Sequence, residues 1–191
     1  MINVENVNRT FPRFPVTVND KGWVYGVWYC GTSWQKVSLY GQYPPTFLKR
    51  ALALFPEAVD ILHCPSGTIT GPGMTVDLVR DKVRRPQIIA SADKLPFSKG
   101  SYDLILSDPP YSVDDSKKYG CDRFPLNGFM KEAHRVLRVG GHLGMLHLYY
   151  PSYRRKDWKL EGLIMVITGF MRKARVFSIL TKMGTPPQDN S

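Results

Sequence analysis

The chain has 191 residues, 43% of them hydrophobic, and a formal net charge of +10. That length supports one sizeable core and not two ordinary domains, so residues 1–191 read as a single domain with an irregular N-terminal segment over 1–21 and a disordered tail over 184–191. No run approaches the ~18 apolar residues of a membrane span, no secretory pattern opens the chain, and three scattered cysteines (Cys30, Cys64, Cys121) read as reduced thiols of a cytoplasmic protein rather than disulfides or metal ligands.

In chain order, Pro12 and Pro15 mark the first twenty residues as irregular, and Trp23 to Cys30 reads as a strand or hairpin punctuated by Gly22, Gly26 and Gly31. Pro44-Pro45 opens a helix carrying Phe47, Leu48, Ala51, Leu52 and Leu54, closed by Pro56. Strand-like runs follow at Val59–Cys64, Met74–Val79, Gln87–Ala90 and Tyr102–Ser107, the last running directly into Asp108-Pro109-Pro110-Tyr111. Apolar spacing predicts a helix over Leu126–Leu137, stopped by Gly140-Gly141, and then a strand over His142–Leu148. Leu160–Thr168 and Arg175–Leu180 form an antiparallel pair. The pattern is α/β, three layers around a mostly parallel sheet with an antiparallel edge hairpin.

Residues 131–183 hold 11 Lys/Arg against 3 Asp/Glu and so supply +8 of the net charge. A basic surface of that size suits DNA or RNA; a merely soluble basic face is the plainer alternative. Membrane binding fits less well, because Arg154, Arg155 and Lys156 do not lie on an amphipathic helix.

Ligands of open α/β sheets sit beyond the carboxyl ends of the strands, which is where Asp108, Pro109, Pro110 and Tyr111 fall. An exocyclic amino group is a poor nucleophile because its lone pair is delocalised into the ring. The Asp108 carboxylate and the Pro109 carbonyl can accept from its two N–H donors, localising the lone pair and aiming it at an electrophilic methyl. The two prolines lock the acceptors in place, and Tyr111 offers a face worth roughly 1–3 kcal/mol to a stacked base. The base would be flipped from a duplex or come from an unpaired strand. A rigid surface turn is the bland alternative.

The stretch from Ala92 to Tyr111, with Leu95-Pro96-Phe97 and the terminal Asp-Pro-Pro-Tyr, resembles the Rossmann-like class I methyltransferases, and its end is similar to the catalytic motif of the DNA N6-adenine/N4-cytosine amino-methyltransferases. Arg135-Val-Leu-Arg-Val-Gly-Gly141 and Tyr43-Pro-Pro-Thr-Phe-Leu-Lys-Arg50 extend the resemblance to about residues 42–183. It implies S-adenosylmethionine as cofactor, with Tyr43 and Pro44 walling its methionine end and Asp77 holding the ribose hydroxyls. His63, Cys64, Ser66 and Gly67 would supply the loop after the first core strand. Ser91, Ala92 and Asp93 would meet the adenine, Ser91 standing where members of the family often carry an Asp. The glycine loop departs from the family pattern. His63 occupies the Asp position, Ile69 replaces a later glycine, and nine residues between Cys64 and Met74 leave no room for the usual helix.

Other constellations carry less. Gly67–Gly73 lacks the ending of a phosphate-binding P-loop, and neither Cys64 nor Cys121 sits in a motif for attack on cytosine C5. His134, His142 and His147 read as packed or surface side chains, and Met165 and Met171 as core filler. Asp114, Asp115, Lys117 and Lys118 form either a loop that closes over a target base or a solvated charge cluster.

The sequence therefore predicts methylation of a nucleobase amino group, adenine N6 (or cytosine N4) in DNA. An RNA adenine or guanine enzyme is the alternative within catalysis, and a non-catalytic nucleic-acid-binding module on a decayed methyltransferase fold the alternative outside it. The chain has no space for an added target-recognition region, so specificity is short, relaxed, or supplied by a partner such as a second copy of the chain.

Overall fold

The computed structural model describes residues 1–31, 43–69, 71–118, 121–168 and 174–184; Gln42, Met171 and the tail from residue 185 lie outside them. At the centre is the apolar run of β6 (Tyr102–Ser107). Leu104 and Leu106 point into one buried cluster and Ile105 into another, so both faces of this strand are covered and its run is continuously apolar rather than alternating. β3 (Ile61–His63), β4 (Met74–Asp77) and β5 (Ile88–Ile89) follow on one side of it, all parallel. β7 (Leu137–His147) pairs parallel with β6 on the other side. β8 (Trp158–Ile167) and β9 (Ala174–Lys182) form the expected antiparallel pair, with β9 inserted next to β7.

The sheet continues past this pair. β2 (Val24–Tyr29) runs parallel to β8 over six residues, and β1 (Val16–Val18) closes the edge antiparallel to β2. The order is β1-β2-β8-β9-β7-β6-β3-β4-β5, with only β9 and β1 opposed to the rest. Gly162 permits the β2–β8 pairing, since a Cβ there would lie 2.3 Å from the Val24 carbonyl oxygen.

One face is covered by α1 (Val4–Thr10) and α2 (Phe47–Leu54), packed on Trp28, Ile164 and Phe177. The other is covered by α4 (Leu126–Val136), whose Phe129, Ala133 and Val136 are fully buried against Leu62, Ile105 and Leu143. The three-layer arrangement thus holds. Among the described residues no helix is long and apolar enough to cross a membrane, and no group of three His, Cys, Asp or Glu could hold a metal ion.

Three local expectations need correction. The first twenty residues are ordered: Asn3 caps α1 by accepting from the Asn6 N–H at 2.8 Å, and Asn6 reaches the Ala53 carbonyl of α2 at 2.9 Å. Only Val7 of α1 is buried, so this helix is held by tertiary contacts its short apolar pattern does not announce. Gly140-Gly141 does not stop α4. The chain enters β7 at Leu137, and Gly140, at φ +79°, instead bends that strand where the β6–β7 register shifts. Residues 113–118 form a short helix, α3 (Val113–Lys118), rather than a loop, with the Ser112 hydroxyl accepting from the Asp115 N–H at 3.0 Å.

Candidate active site

The carboxyl ends of β3, β4 and β6 and the segment after β5 open into one cleft of about 240 Å³. Of the residues expected at the site, Tyr43, Cys64, Ser66, Gly67, Asp77, Ser91, Ala92, Asp93, Asp108 and Pro110 line it. Pro44, His63, Pro109 and Tyr111 do not. His63 is buried behind the loop and bonds the Pro72 carbonyl through Nε2 at 2.9 Å, which ties down the far end of residues 64–73. Where the family pattern has an acid, this chain has a side chain that anchors its own shortened loop. Burial lowers the His63 pKa, so the ring stays neutral.

Asp77, at the end of β4, is buried. Its Oδ2 accepts from the Gly67 N–H at 2.9 Å and its Oδ1 from the Leu78 N–H at 2.8 Å. Burial raises its pKa, and those two N–H groups pull it back. Each oxygen keeps a second lone pair for a further donor. Gly67 adopts φ +55°, the left-handed turn that aims its amide at Asp77. Tyr43 and Ser66 line the same cleft, and their hydroxyls are buried with no hydrogen-bond partner among the described residues. Such orphaned groups are costly unless a ligand or water satisfies them. On the far wall, Asp93 accepts from the Ser91 hydroxyl at 2.5 Å and packs tightly on α4, where a Cβ on Gly128 would come within 2.5 Å of its own.

Asp108 follows β6 and is 15% exposed in its side chain. Its Oδ1 accepts from the Tyr111 hydroxyl, and its Oδ2 lies 3.5 Å from the Arg175 guanidinium of β9. Arg175 also donates to the Tyr111 hydroxyl at 3.0 Å and lies 5.5 Å from the centre of its ring. Desolvation lifts the Asp108 carboxyl to about 6, against the lowering pull of Arg175 and of the Tyr111 hydrogen bond. Burial and the adjacent Asp108 push the Tyr111 phenol far above its ordinary range. The Tyr111 ring therefore spends its hydroxyl on Asp108, and its face carries Arg175.

Tyr111 belongs to a second cavity of about 310 Å³, with Ser112, Val113, His147 and Tyr149. Pro110, Arg123 and Phe124 line both spaces, so the two adjoin across them. His147 packs edge-on to Tyr111 at 5.0 Å and is hydrogen-bonded to the Pro110 carbonyl. Its Nδ1 accepts from the Tyr149 N–H at 3.4 Å, so the proton sits on Nε2. Sequence reasoning missed Arg175 and gave His147 no function. It also missed the wall formed by Pro65, Leu78, Ala90, Cys121, Arg123, Phe124 and Pro125. No local pattern marks these residues; Arg175 reaches Tyr111 across 64 positions of sequence.

The fold has counterparts among known structures. TrmN from Thermus thermophilus superposes with a TM-score of 0.53 at 18% identity, over 76% of this chain and 51% of that one. The Escherichia coli protein yhhF, assigned to the methyltransferases, gives 0.51 at 12% identity, over 78% of this chain and 92% of that one. The chain has the fold of these proteins. It spans about half the length of TrmN. No protein-family profile matches the sequence, and no curated protein matches it.

Proposed function

We propose that this chain transfers a methyl group from S-adenosylmethionine to the exocyclic amino nitrogen of a nucleobase in a polynucleotide, adenine N6 in DNA being the first substrate to test and RNA the second. The observation that carries this reading is the pairing of two carboxylates in one cleft, Asp77 at the end of β4 and Asp108 beyond β6, together with Tyr43 and Ser66 in its lining, whose hydroxyls have no partner among the described residues. The group fits these residues. Asp77 has acceptor capacity left for two ribose hydroxyls, Ser91 and Asp93 can meet the adenine edge beside Ala92, and Tyr43, Ser66 and Gly67 border the space left for the methionine end. Cys64 forms wall, its thiol held protonated by burial.

When bound, S-adenosylmethionine supplies a methyl on a positively charged sulfur that departs as a neutral thioether. The chain's part is orientation and charge. A target base entering the cavity of Tyr111 and His147 would present its amino group past Pro110 to the Asp108 carboxylate. That acceptor localises the nitrogen lone pair, whereas Pro109, expected beside it, is buried and lines neither cavity. Asp108, titrating near 6, is ionised at neutral pH yet basic enough to take the proton the amino nitrogen sheds. Arg175 keeps that carboxylate charged and holds the Tyr111 ring.

One observation favours a second reading, a non-catalytic binding module. The Asp108 oxygens are already engaged by Tyr111 and Arg175. Calorimetric titration with S-adenosylmethionine, on wild type and Asp77→Ala, followed by methyl transfer to adenine-containing DNA and RNA, separates the two. The enzyme reading expects binding lost in Asp77→Ala and transfer abolished in Asp108→Ala. No heat with the cofactor and no transfer to either polymer would refute it.

A further inference from the structure

Between β7 and β8, residues 148–157 carry neither helix nor strand, so the chain crosses the α4 side of the sheet as an open segment. Its composition is unusual for a connector. Leu148, Tyr149 and Tyr150 are 47%, 56% and 53% exposed, and Arg154, Arg155 and Lys156 follow after Pro151, Ser152 and Tyr153. We propose that this segment, with the first turns of α4, is a track for an unpaired polynucleotide strand that leads into the Tyr111 cavity. The proposal rests on the polynucleotide substrate advanced above and adds where, and in what state, that polymer is held.

Three observations carry it. First, a chain of edge-on ring contacts runs outward from Tyr111, to the buried His147 at 5.0 Å and from His147 to Tyr149 at 4.3 Å, and ends on two open rings, Tyr149 and the adjacent Tyr150, 56% and 53% exposed. Bases of a single strand stack on such rings whatever their identity, whereas a duplex keeps its base faces covered. Second, the segment joins two cavities. Tyr149 lines the one that contains Tyr111, while Tyr153 and Arg154 line a larger one of about 520 Å³ together with Lys131, His134 and Trp158. The consecutive residues Leu126 and Asn127 line the first and the second respectively, so both cavities lie at the start of α4. Third, the charges are free to meet phosphate. Lys131, Arg155 and Lys156 are exposed and have no acidic partner among the described residues, and Arg154, although paired with Asp157, remains 70% exposed in its side chain. His134 lines the larger cavity, and its Nε2 is buried without a partner among the described residues. Cations alone would serve an acidic peptide as well; cations alternating with exposed rings serve a strand of bases.

The test is fluorescence anisotropy of the full chain with short labelled single-stranded DNA, single-stranded RNA and duplex DNA, each over a salt series. The chains compared are wild type, Tyr150→Ala and the double variant Arg155→Ala/Lys156→Ala. Thermal shift with S-adenosylmethionine serves as a check that the cofactor cleft is unchanged. Wild type is expected to prefer a single strand, of either sugar, over the duplex. Tyr150→Ala is expected to weaken single-strand binding about tenfold with the salt slope kept. The double cation variant is expected to flatten the slope of log affinity against log salt by about 1.4, two phosphate contacts at ~0.7 each. Variants that bind like wild type, or tighter binding of the duplex, would overturn the track while leaving the substrate class standing. A wild-type chain that binds no polynucleotide would overturn both.

Discussion

Arg175 is the residue whose removal says most about the proposed chemistry. Its guanidinium stands 3.5 Å from Asp108 Oδ2, with 17% and 15% of the two side chains exposed. At that separation Coulomb's law gives about 4.7 kcal/mol with an effective dielectric of ~20. Carboxylates beside an arginine are in practice lowered by about 1–3 pH units, so solvent and counterions remove part of that figure. Arg175→Gln keeps a donor for the Tyr111 hydroxyl and deletes the charge. The Asp108 carboxyl, at about 6 in the wild type, is then expected to titrate between about 7 and about 9. Carbon-13 NMR of the Asp Cγ resonances reads this directly, without reference to activity. If methyl transfer needs the carboxylate, wild-type kcat/KM falls as pH drops through about 6. The variant would be severely depressed at neutral pH and regain activity toward about pH 9. The sign for stability is opposite to that of a salt-bridged surface acid. The folded value lies above the unfolded one, about 3.9, so this group's stabilisation is fully present below the unfolded value and is lost as pH rises through about 6. An Asp108 midpoint unmoved by Arg175→Gln would refute the reasoning.

Three further outcomes are expected. Tyr43→Phe removes a buried hydroxyl that has no partner among the described residues, so the free protein should be stabler by about 1 kcal/mol in thermal melts while cofactor affinity falls; equal or lower stability would show that the hydroxyl is satisfied. Gly162→Ala drives a Cβ into the Val24 carbonyl and should cost about 1–3 kcal/mol in denaturant unfolding, with loss of amide-exchange protection confined to β2 and β8. Glu132 accepts from the Leu95 N–H at 2.8 Å and from Arg135, whose fork also donates to the Leu95 and Phe97 carbonyls. The Arg135 hydrogen bonds lower the Glu132 pKa, so Glu132→Gln should cost about 1.5–3 kcal/mol at pH 7, and the difference from wild type should fade as pH falls below about 4.

What was legible in the sequence was whatever is written locally. β6 is an apolar run buried on both faces and ended by Asp108, and α4 has a clean 3.6-residue stripe, so both were placed closely. Asp77 and Asp108 could be put at one end of the sheet because parallel strands deliver their carboxyl ends together. Contacts made across the fold were not legible. The six residues of β2 read as a strand, yet nothing in them names β8 as neighbour. The Gly140-Gly141 pair has the composition of a helix stop, but strand pairing of Leu137 with Tyr102 overrides it. His147 read as a packed or surface side chain because its meaning depends on Tyr111 and the Pro110 carbonyl, both brought to it by another strand.

The seam between β2 and β8 bears on how the chain is made. Val24 pairs with Gly162 and Tyr29 with Ile167, so during synthesis β2 waits, unpaired on that side, until β8 has also left the ribosome. Its outward Tyr25, Val27 and Tyr29 remain exposed even in the finished protein. Pairings of such sequence separation form slowly, and a waiting apolar edge is open to the wrong neighbour. A nascent chain stalled before β8 would carry this edge uncovered, making it the natural point of hold for a ribosome-associated chaperone and the first place for aggregation when synthesis outruns folding.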